Sequence, residues 1–170
     1  LQRATADWMR LGESMEDASE SAKASTVLMN VSEFENINDA TQALVSASQA
    51  YKELDKMDIV DVINNIGNNY AVATDELAQG LQNSAAVLKT QGNDLYEAVA
   101  LLTAGNAITQ DISKVAAGTR TIALRLAGTE EAKDELIQLG EDVDDMIVGT
   151  RAKMQGLIKD YTAVASNAYE

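Results

Sequence analysis

Two adjacent apolar helical patterns between Asp94 and Gly128 constrain the fold most, because no other stretch is as apolar over such a length. Apolar residues recur there at three- and four-residue spacing, which places side chains on one face of an α-helix. The first pattern is Leu95, Val99 and Leu102, with Ala98, Leu101 and Ile108 beside them, and the second is Val115, Thr119, Ile122 and Leu126. We expect these two helices to lie against each other and the rest of the chain to pack on them.

Polar residues and a glycine mark the ends of this pair. Short polar side chains accept hydrogen bonds from the free N–H groups of a first helical turn, so Asn93 is predicted to cap the first helix. Asp111 or Ser113 is predicted to cap the second. Gly128 is expected to end it in a left-handed turn.

The N-terminal stretch has seven residues at strict three-four alternation, which are Leu1, Ala4, Trp8, Leu11, Met15, Ala18 and Ala22. This spacing fits a coiled coil. The flanking positions are mostly Ser, Thr and Gly, however, and lack the paired charges of a zipper. We therefore favour one long amphipathic helix that spans residues 1–25 and packs on the core or on a preceding segment.

The middle of the chain predicts three more helices. The first covers Ala40–Leu54 with Asp39 as its cap, and the second begins at Asp58 and ends at Gly67–Asn69, where the residue types tolerate the left-handed conformation. The third begins at Thr74 with acidic residues in its first turn, where the helix dipole favours them.

Other stretches permit two interpretations. The apolar run Val27–Val31 could be a strand or a helical turn, and we favour the turn because no second strand candidate exists to pair with it. In the acidic cluster 141–145, a metal site competes with a helix cap. We favour the cap, because the cluster lacks the alternating oxygens, central Gly and closing Glu of a calcium loop.

Two further helices are predicted near the C-terminus. The first is capped by Thr129 and stops at Gly140, and the second carries apolar residues from Ile147 to Tyr161. Together these patterns predict an all-α, compact domain of about seven helices joined by short breaks. We divide the chain into an N-terminal helix (1–25), a helical core (26–167) and a truncated continuation (168–170). The chain opens inside a helical pattern, so we expect it to be a piece of a longer protein.

Composition excludes several kinds of chemistry. The chain has no Cys and no His, which removes disulfides, thiolate metal sites and the commonest general base. Its net charge of −14 makes it a poor ligand for nucleic acid or anionic lipid. Its apolar runs are far shorter than the roughly 20 residues that span a bilayer. No known catalytic motif is present, so we expect no enzyme activity and no cofactor.

A few residues stand out as candidates for structural or partner contacts. Gly80 and Gly105 lie inside helical patterns, where each costs about 1 kcal/mol relative to Ala, and close helix approach is a better explanation than a hinge. Arg120 and Arg125 lie on the most apolar helix. For Arg125 we expect a stem that covers the core and a head that pairs with an acid of another helix, rather than a ligand site. The complete candidate set is Trp8, Gly105, Asn106, Arg120 and Arg125.

The order and spacing of several segments resemble the core region of phage tail tape measure proteins. The resembling segments are Ile66–Asn69, Leu77–Leu88, Ala98–Ala107, Gly118–Leu126, Gly128–Ala132 and Asp160–Asn167. The resemblance covers roughly Val27 to Asn167, and Leu1 to Ser25 looks like the helical segment that precedes this core in the family.

The resemblance implies a structural virion protein. Tape measure proteins lie inside the tail tube, set its length during assembly and leave ahead of the DNA during ejection. The implied partners are other tape measure copies and tail tube, distal tail and assembly proteins. The implied location is the virion tail, and the host cytoplasm during assembly. The family has no catalytic residues in this region to carry over.

Two other classes of protein remain open. One is a helical interaction or targeting domain of a secreted effector, which is also acidic and free of Cys. The other is a helical bundle that binds a small molecule, or an enzyme that uses carboxylates. Neighbouring sequence would separate the first from a tail protein, and a buried polar cavity would favour the second.

Overall fold

A computed structural model describes residues 2–128, and these residues form seven α-helices. The helices are α1 (Gln2–Arg10), α2 (Met15–Asn30), α3 (Ile37–Ala50), α4 (Lys56–Asn69), α5 (Thr74–Thr90), α6 (Leu95–Thr109) and α7 (Ile112–Leu126). No strand occurs within this part of the chain, and its helices share one hydrophobic core. The prediction of a compact all-α domain is confirmed. The two helices predicted after Gly128, the acidic cluster 141–145 and the boundary at residue 167 lie outside the described residues.

The predicted long N-terminal helix is wrong, because the chain breaks between Arg10 and Met15. Gly12 adopts a φ of +93°, and Ser14 accepts a hydrogen bond from the backbone N–H of Asp17 to begin α2. Helices α1 and α2 then pack on each other. The heptad positions Leu11 and Met15 are 45% and 70% exposed, since they lie at the turn rather than along a seam.

Local capping chemistry sets most helix starts, often a few residues before the predicted position. Asn36 caps α3 and also donates a hydrogen bond to Asp39, the predicted cap. Asp55 caps α4 in place of the predicted start at Asp58. Asp39 and Asp58 therefore lie in the first turns of α3 and α4, where they still favour the helix.

The caps of the last two helices follow the sequence closely. Asp94, not Asn93, caps α6 and forms a reciprocal capping box with Glu97. Asp111 caps α7 as predicted, with its side chain accepting from the N–H of Lys114. Gly128 follows α7 with a φ of +75°, which confirms the left-handed turn.

Helix α5 lies at the centre of the fold and packs against α3, α4, α6 and α7. Its small residues allow this, because they leave room for neighbouring helices on more than one face. A Cβ atom on Gly80 would come within 2.9 Å of Ile112 Cγ1 and 3.4 Å of Leu102 Cδ1. The predicted contact between α6 and α7 is present, but both helices pack on α5 rather than forming the centre themselves.

The inward face of α7 differs from the predicted one. Ile112, Ala116 and Ala123 are buried, whereas Ile122 is 48% exposed. Val115 is only partly buried, at the contact with α6. Because α7 packs on both α5 and α6, its buried face is rotated away from the most apolar stripe of its sequence.

Two further predictions in the middle of the chain have different outcomes. The run Val27–Val31 belongs to the end of α2 and its cap, which confirms the helical interpretation. Gly67 does not adopt a left-handed conformation but lies inside α4. Its missing side chain lets α4 approach α5, since a Cβ there would meet Thr74 Oγ1 at 2.2 Å.

Candidate interaction surfaces

Trp8 lies in the interior where α1, α2 and α4 meet. It is fully buried, and its Nε1 donates a hydrogen bond to Ser25 Oγ at 3.0 Å. The Lys56 ammonium lies 5.2 Å from the centre of the indole ring and 3.1 Å from Glu13 Oε1. Trp8 thus joins three helices, and its side chain is not placed to contact a partner.

Gly105 and Asn106 are neighbours on α6 that face two other elements. A Cβ on Gly105 would come within 2.5 Å of Val115 Cγ1, so this glycine is the point of close approach to α7. Asn106 is 3% exposed and donates from Nδ2 to the carbonyl oxygen of Ala71, 3.1 Å away. Its Oδ1 has no hydrogen-bond partner among the residues of the structure. Close helix approach is confirmed for Gly105, and both residues belong to internal packing.

Arg120 and Arg125 are both exposed on α7. The stem of Arg125 does not cover the core as expected, because this residue is exposed; its pairing with an acid of another helix stays a prediction. Lys114, in the first turn of α7, pairs with Asp111 at 2.9 Å. That contact lowers the pKa of Asp111, mainly through the hydrogen bond from the lysine. Of the five candidates, only the two arginines reach the surface.

Helix α6 carries two large apolar residues on the surface that were not predicted there. Ile108 is 87% exposed, although the sequence placed it beside the inward stripe of α6. Its position around the helix could have predicted this exposure. The buried positions of α6 continue from Leu102 to Asn106, and Ile108 lies on the opposite side of the helix, about 200° from Asn106. Tyr96 on the same helix is 48% exposed.

The surface also has an acidic groove between α2 and α4, of about 540 Å³. Its walls carry Glu13, Asp17, Glu20 and Asp55, with Lys56 and the partly exposed Met57 beside them. Glu13 accepts a hydrogen bond from Ser21 Oγ at 2.7 Å, and Asp55 is occupied as the cap of α4. Within residues 2–128, no group of three or more acidic side chains is arranged to hold a metal ion.

A second, open groove of about 620 Å³ runs between α1 and α3, lined by residues that include Arg3, Asp7, Arg10 and Asn38. Its charges are mixed, and Arg10 pairs with Asp7 at 2.8 Å. Asn38 Oδ1 is buried at its edge with no partner in the described part of the chain.

Among the described residues, Asp75 is the carboxyl group whose pKa is raised. Burial raises the pKa of Asp75, in the first turn of α5, and the nearby Glu33 raises it further. Its Oδ1 is buried and accepts no hydrogen bond from the described residues. The backbone N–H of Glu76 opposes the shift but does not cancel it.

These observations define an all-α domain of closely packed short helices with two charged grooves on its surface. None of the helices in residues 2–128 is long and apolar enough to cross a membrane. The chain belongs to the phage-related minor tail protein family, whose model matches residues 1–168. It is therefore a phage tail protein. No solved structure matches it.

Proposed function

We propose that this chain is part of a tail tape measure protein and acts in tail assembly as a compact domain, not as a length of the measuring rod. Membership of the phage-related minor tail protein family supports a structural role in the tail and disfavours a secreted effector. The resemblance of the segments around Ala98–Ala107 and Gly118–Leu126 to the tape measure core supports the finer assignment.

The packing of seven short helices on one core carries the proposal. The longest of them, α5, has 17 residues, which is about 26 Å of helix. A continuous helix over residues 2–128 would instead extend about 190 Å, at about 1.5 Å per residue. A segment that buries its apolar faces internally contributes little length, so its role is contact rather than measurement.

The proposed partners are other copies of the tape measure protein and tail tube, distal tail and assembly proteins. The domain would reside inside the tail of the virion, and in the host cytoplasm during assembly, and would leave ahead of the DNA. Its negative charge would keep it from adhering to DNA in the same channel. We further propose that it is not an enzyme and needs no cofactor.

Electron microscopy of two deletion phages tests this function. Removing residues 27–167 from the parent protein should impair tail assembly or infection. Removing an equal number of residues from a long helical region of the parent should give shorter tails that still assemble. If the first deletion instead gave infectious particles whose tails were shortened by about 1.5 Å per deleted residue, the segment would be part of the length-measuring rod.

A further inference from the structure

The outer face of α7 has a charge opposite to that of the chain as a whole. Alone among the seven described helices, α7 contains no acidic residue, and it carries Lys114, Arg120 and Arg125. The whole chain has a net charge of −14, so the rest of it is still more acidic. A cationic face on such a chain is attracted to the acidic surfaces of other copies.

Apolar and small residues lie between these cations. At about 100° per residue, Leu124 projects between Arg120 and Arg125 around the helix, and it is 37% exposed. A Cβ on Gly118 would meet no atom within 4 Å, so the backbone is open to close approach there. An apolar side chain between guanidinium groups fits a protein surface with acids and apolar groups better than it fits a phosphate backbone.

Arg120 is the cation best placed for an intermolecular contact. It is exposed and forms no ion pair with residues 2–128. Lys114, in contrast, is engaged with Asp111. A charge that is solvated on the isolated chain is available for pairing with a carboxylate of a partner.

The groove between α2 and α4 has the complementary properties. Four carboxylates line it against the single ammonium of Lys56, and Met57, 37% exposed, adds apolar surface. Glu20 stands on its α2 wall, where its largely exposed side chain forms an ion pair with Lys23 at 2.6 Å. The groove thus offers carboxylates and a methionine to a helix face that presents the guanidinium group of Arg120 and the side chain of Leu124.

We propose that the outer face of α7 docks in the α2–α4 groove of a second copy of this chain, with Arg120 pairing to the acids of the α2 wall and Leu124 meeting Met57. The two surfaces lie on different elements, so a pair joined by one such contact keeps one α7 face and one groove free. Such a heterologous contact adds further copies until a ring closes or a filament grows. The inference deepens the partner part of the proposed function by naming the surfaces that join copies.

Sedimentation velocity of the 170-residue chain across a concentration series tests the docking. We expect association that weakens as salt is raised, because the contact pairs exposed charges. Arg120→Glu and Glu20→Lys should each raise the dissociation constant about tenfold. Mixing the two variants should restore association to near the wild-type strength, since one then supplies an intact groove and the other an intact α7 face.

Matched controls carry the same charge changes on exposed residues outside both surfaces. Arg3→Glu and Glu35→Lys should leave the dissociation constant within about twofold of the wild type. Circular dichroism confirms that all variants retain the fold. A wild-type chain that stays monomeric at every concentration overturns the proposal. The α7 face would then be covered by another segment or by another protein, not by a second copy. The proposal is also overturned if the control variants lose as much association as Arg120→Glu and Glu20→Lys, or if mixing those two variants does not restore association.

Duplex DNA added to the wild-type chain provides a further arm of the experiment. We expect no binding. Binding that Arg120→Glu abolishes would assign the α7 face to nucleic acid and overturn the docking of a second copy. The measurement of self-association is independent of the tail-length experiment, whose prediction can fail while self-association holds.

Discussion

Gly105 of α6 lies so close to Val115 of α7 that a Cβ atom on the glycine would come within 2.5 Å of Val115 Cγ1 and 3.1 Å of Cγ2. Valine is stiff at its first side-chain torsion, so it cannot easily move aside. The two helices therefore meet at this pair, and a glycine in the middle of α6 is explained by the approach rather than by flexibility.

Gly105→Ala should lower the free energy of unfolding. Alanine gains about 1 kcal/mol in helix propensity, but overpacking typically costs about 1–3 kcal/mol. Adding Val115→Ala should recover much of the loss, because it removes the two methyl groups that clash. Chemical denaturation of both single variants and the double variant measures the coupling. Additive effects within about 0.5 kcal/mol would show that the two residues do not interact.

Gly67 and Gly118 should respond oppositely to the same substitution. A Cβ on Gly67 would lie 2.2 Å from Thr74 Oγ1 and 3.1 Å from Thr74 Cα, so Gly67→Ala should cost about 1–3 kcal/mol. At Gly118 a Cβ meets nothing within 4 Å, so Gly118→Ala should stabilise by about 0.5–1 kcal/mol. Thermal unfolding of the two variants checks this, and a stabilised Gly67→Ala would contradict the packing.

Tyr51→Phe should leave stability unchanged or raise it. The ring is fully buried with Lys89 5.3 Å above it, while the hydroxyl has no hydrogen-bond partner in the described structure. Burial, more than the nearby acids, raises the pKa of this hydroxyl, which keeps it neutral. Losing an unpaired buried hydroxyl relieves a desolvation cost. Denaturation curves should show no loss in the free energy of unfolding, with Tyr96→Phe at an exposed position as the control. A loss of about 1 kcal/mol would reveal that the Tyr51 hydroxyl is hydrogen-bonded.

Asp75→Asn should raise the melting temperature at neutral pH but not in acid. Because burial raises the pKa of Asp75 in the fold, its ionised form destabilises the native state above that pKa. As pH falls through the folded pKa, the carboxyl binds a proton and the cost disappears. Melting temperatures at about pH 7 and about pH 3 measure the difference.

The neighbouring Glu76→Gln is the matched control for that experiment. Glu76 is exposed in the same first helical turn, so its loss removes a favourable dipole interaction without relieving burial. It should lower the melting temperature slightly or leave it unchanged at neutral pH. A gain of equal size in both variants would attribute the effect to net charge rather than to the position of Asp75.

The local structure followed from the sequence where it depends on residues within one or two turns. Asp111 caps α7, and Gly128 ends it, because both effects need only a short polar side chain or a glycine at the right position. The buried stripes of α4 and α5 also followed, since apolar spacing alone identifies Ile59, Ile63, Leu77 and Leu81. Family resemblance indicated a tail protein, and the family match agrees.

The arrangement of the helices depended on contacts between distant residues, which periodicity does not report. The apolar spacing from Leu1 to Ala22 suits one helix as well as two, and only the packing of α1 on α2 decided for a turn at Gly12. Arg125 and Ile122 lie outward because α7 packs on two neighbours at once. From α3 to α7, the sequence determined which residues form helices and, to within a few residues, where those helices begin and end. Tertiary structure alone decided that α5 is central and which side of α7 faces solvent, because helices approach where small residues such as Gly80 and Gly105 leave room.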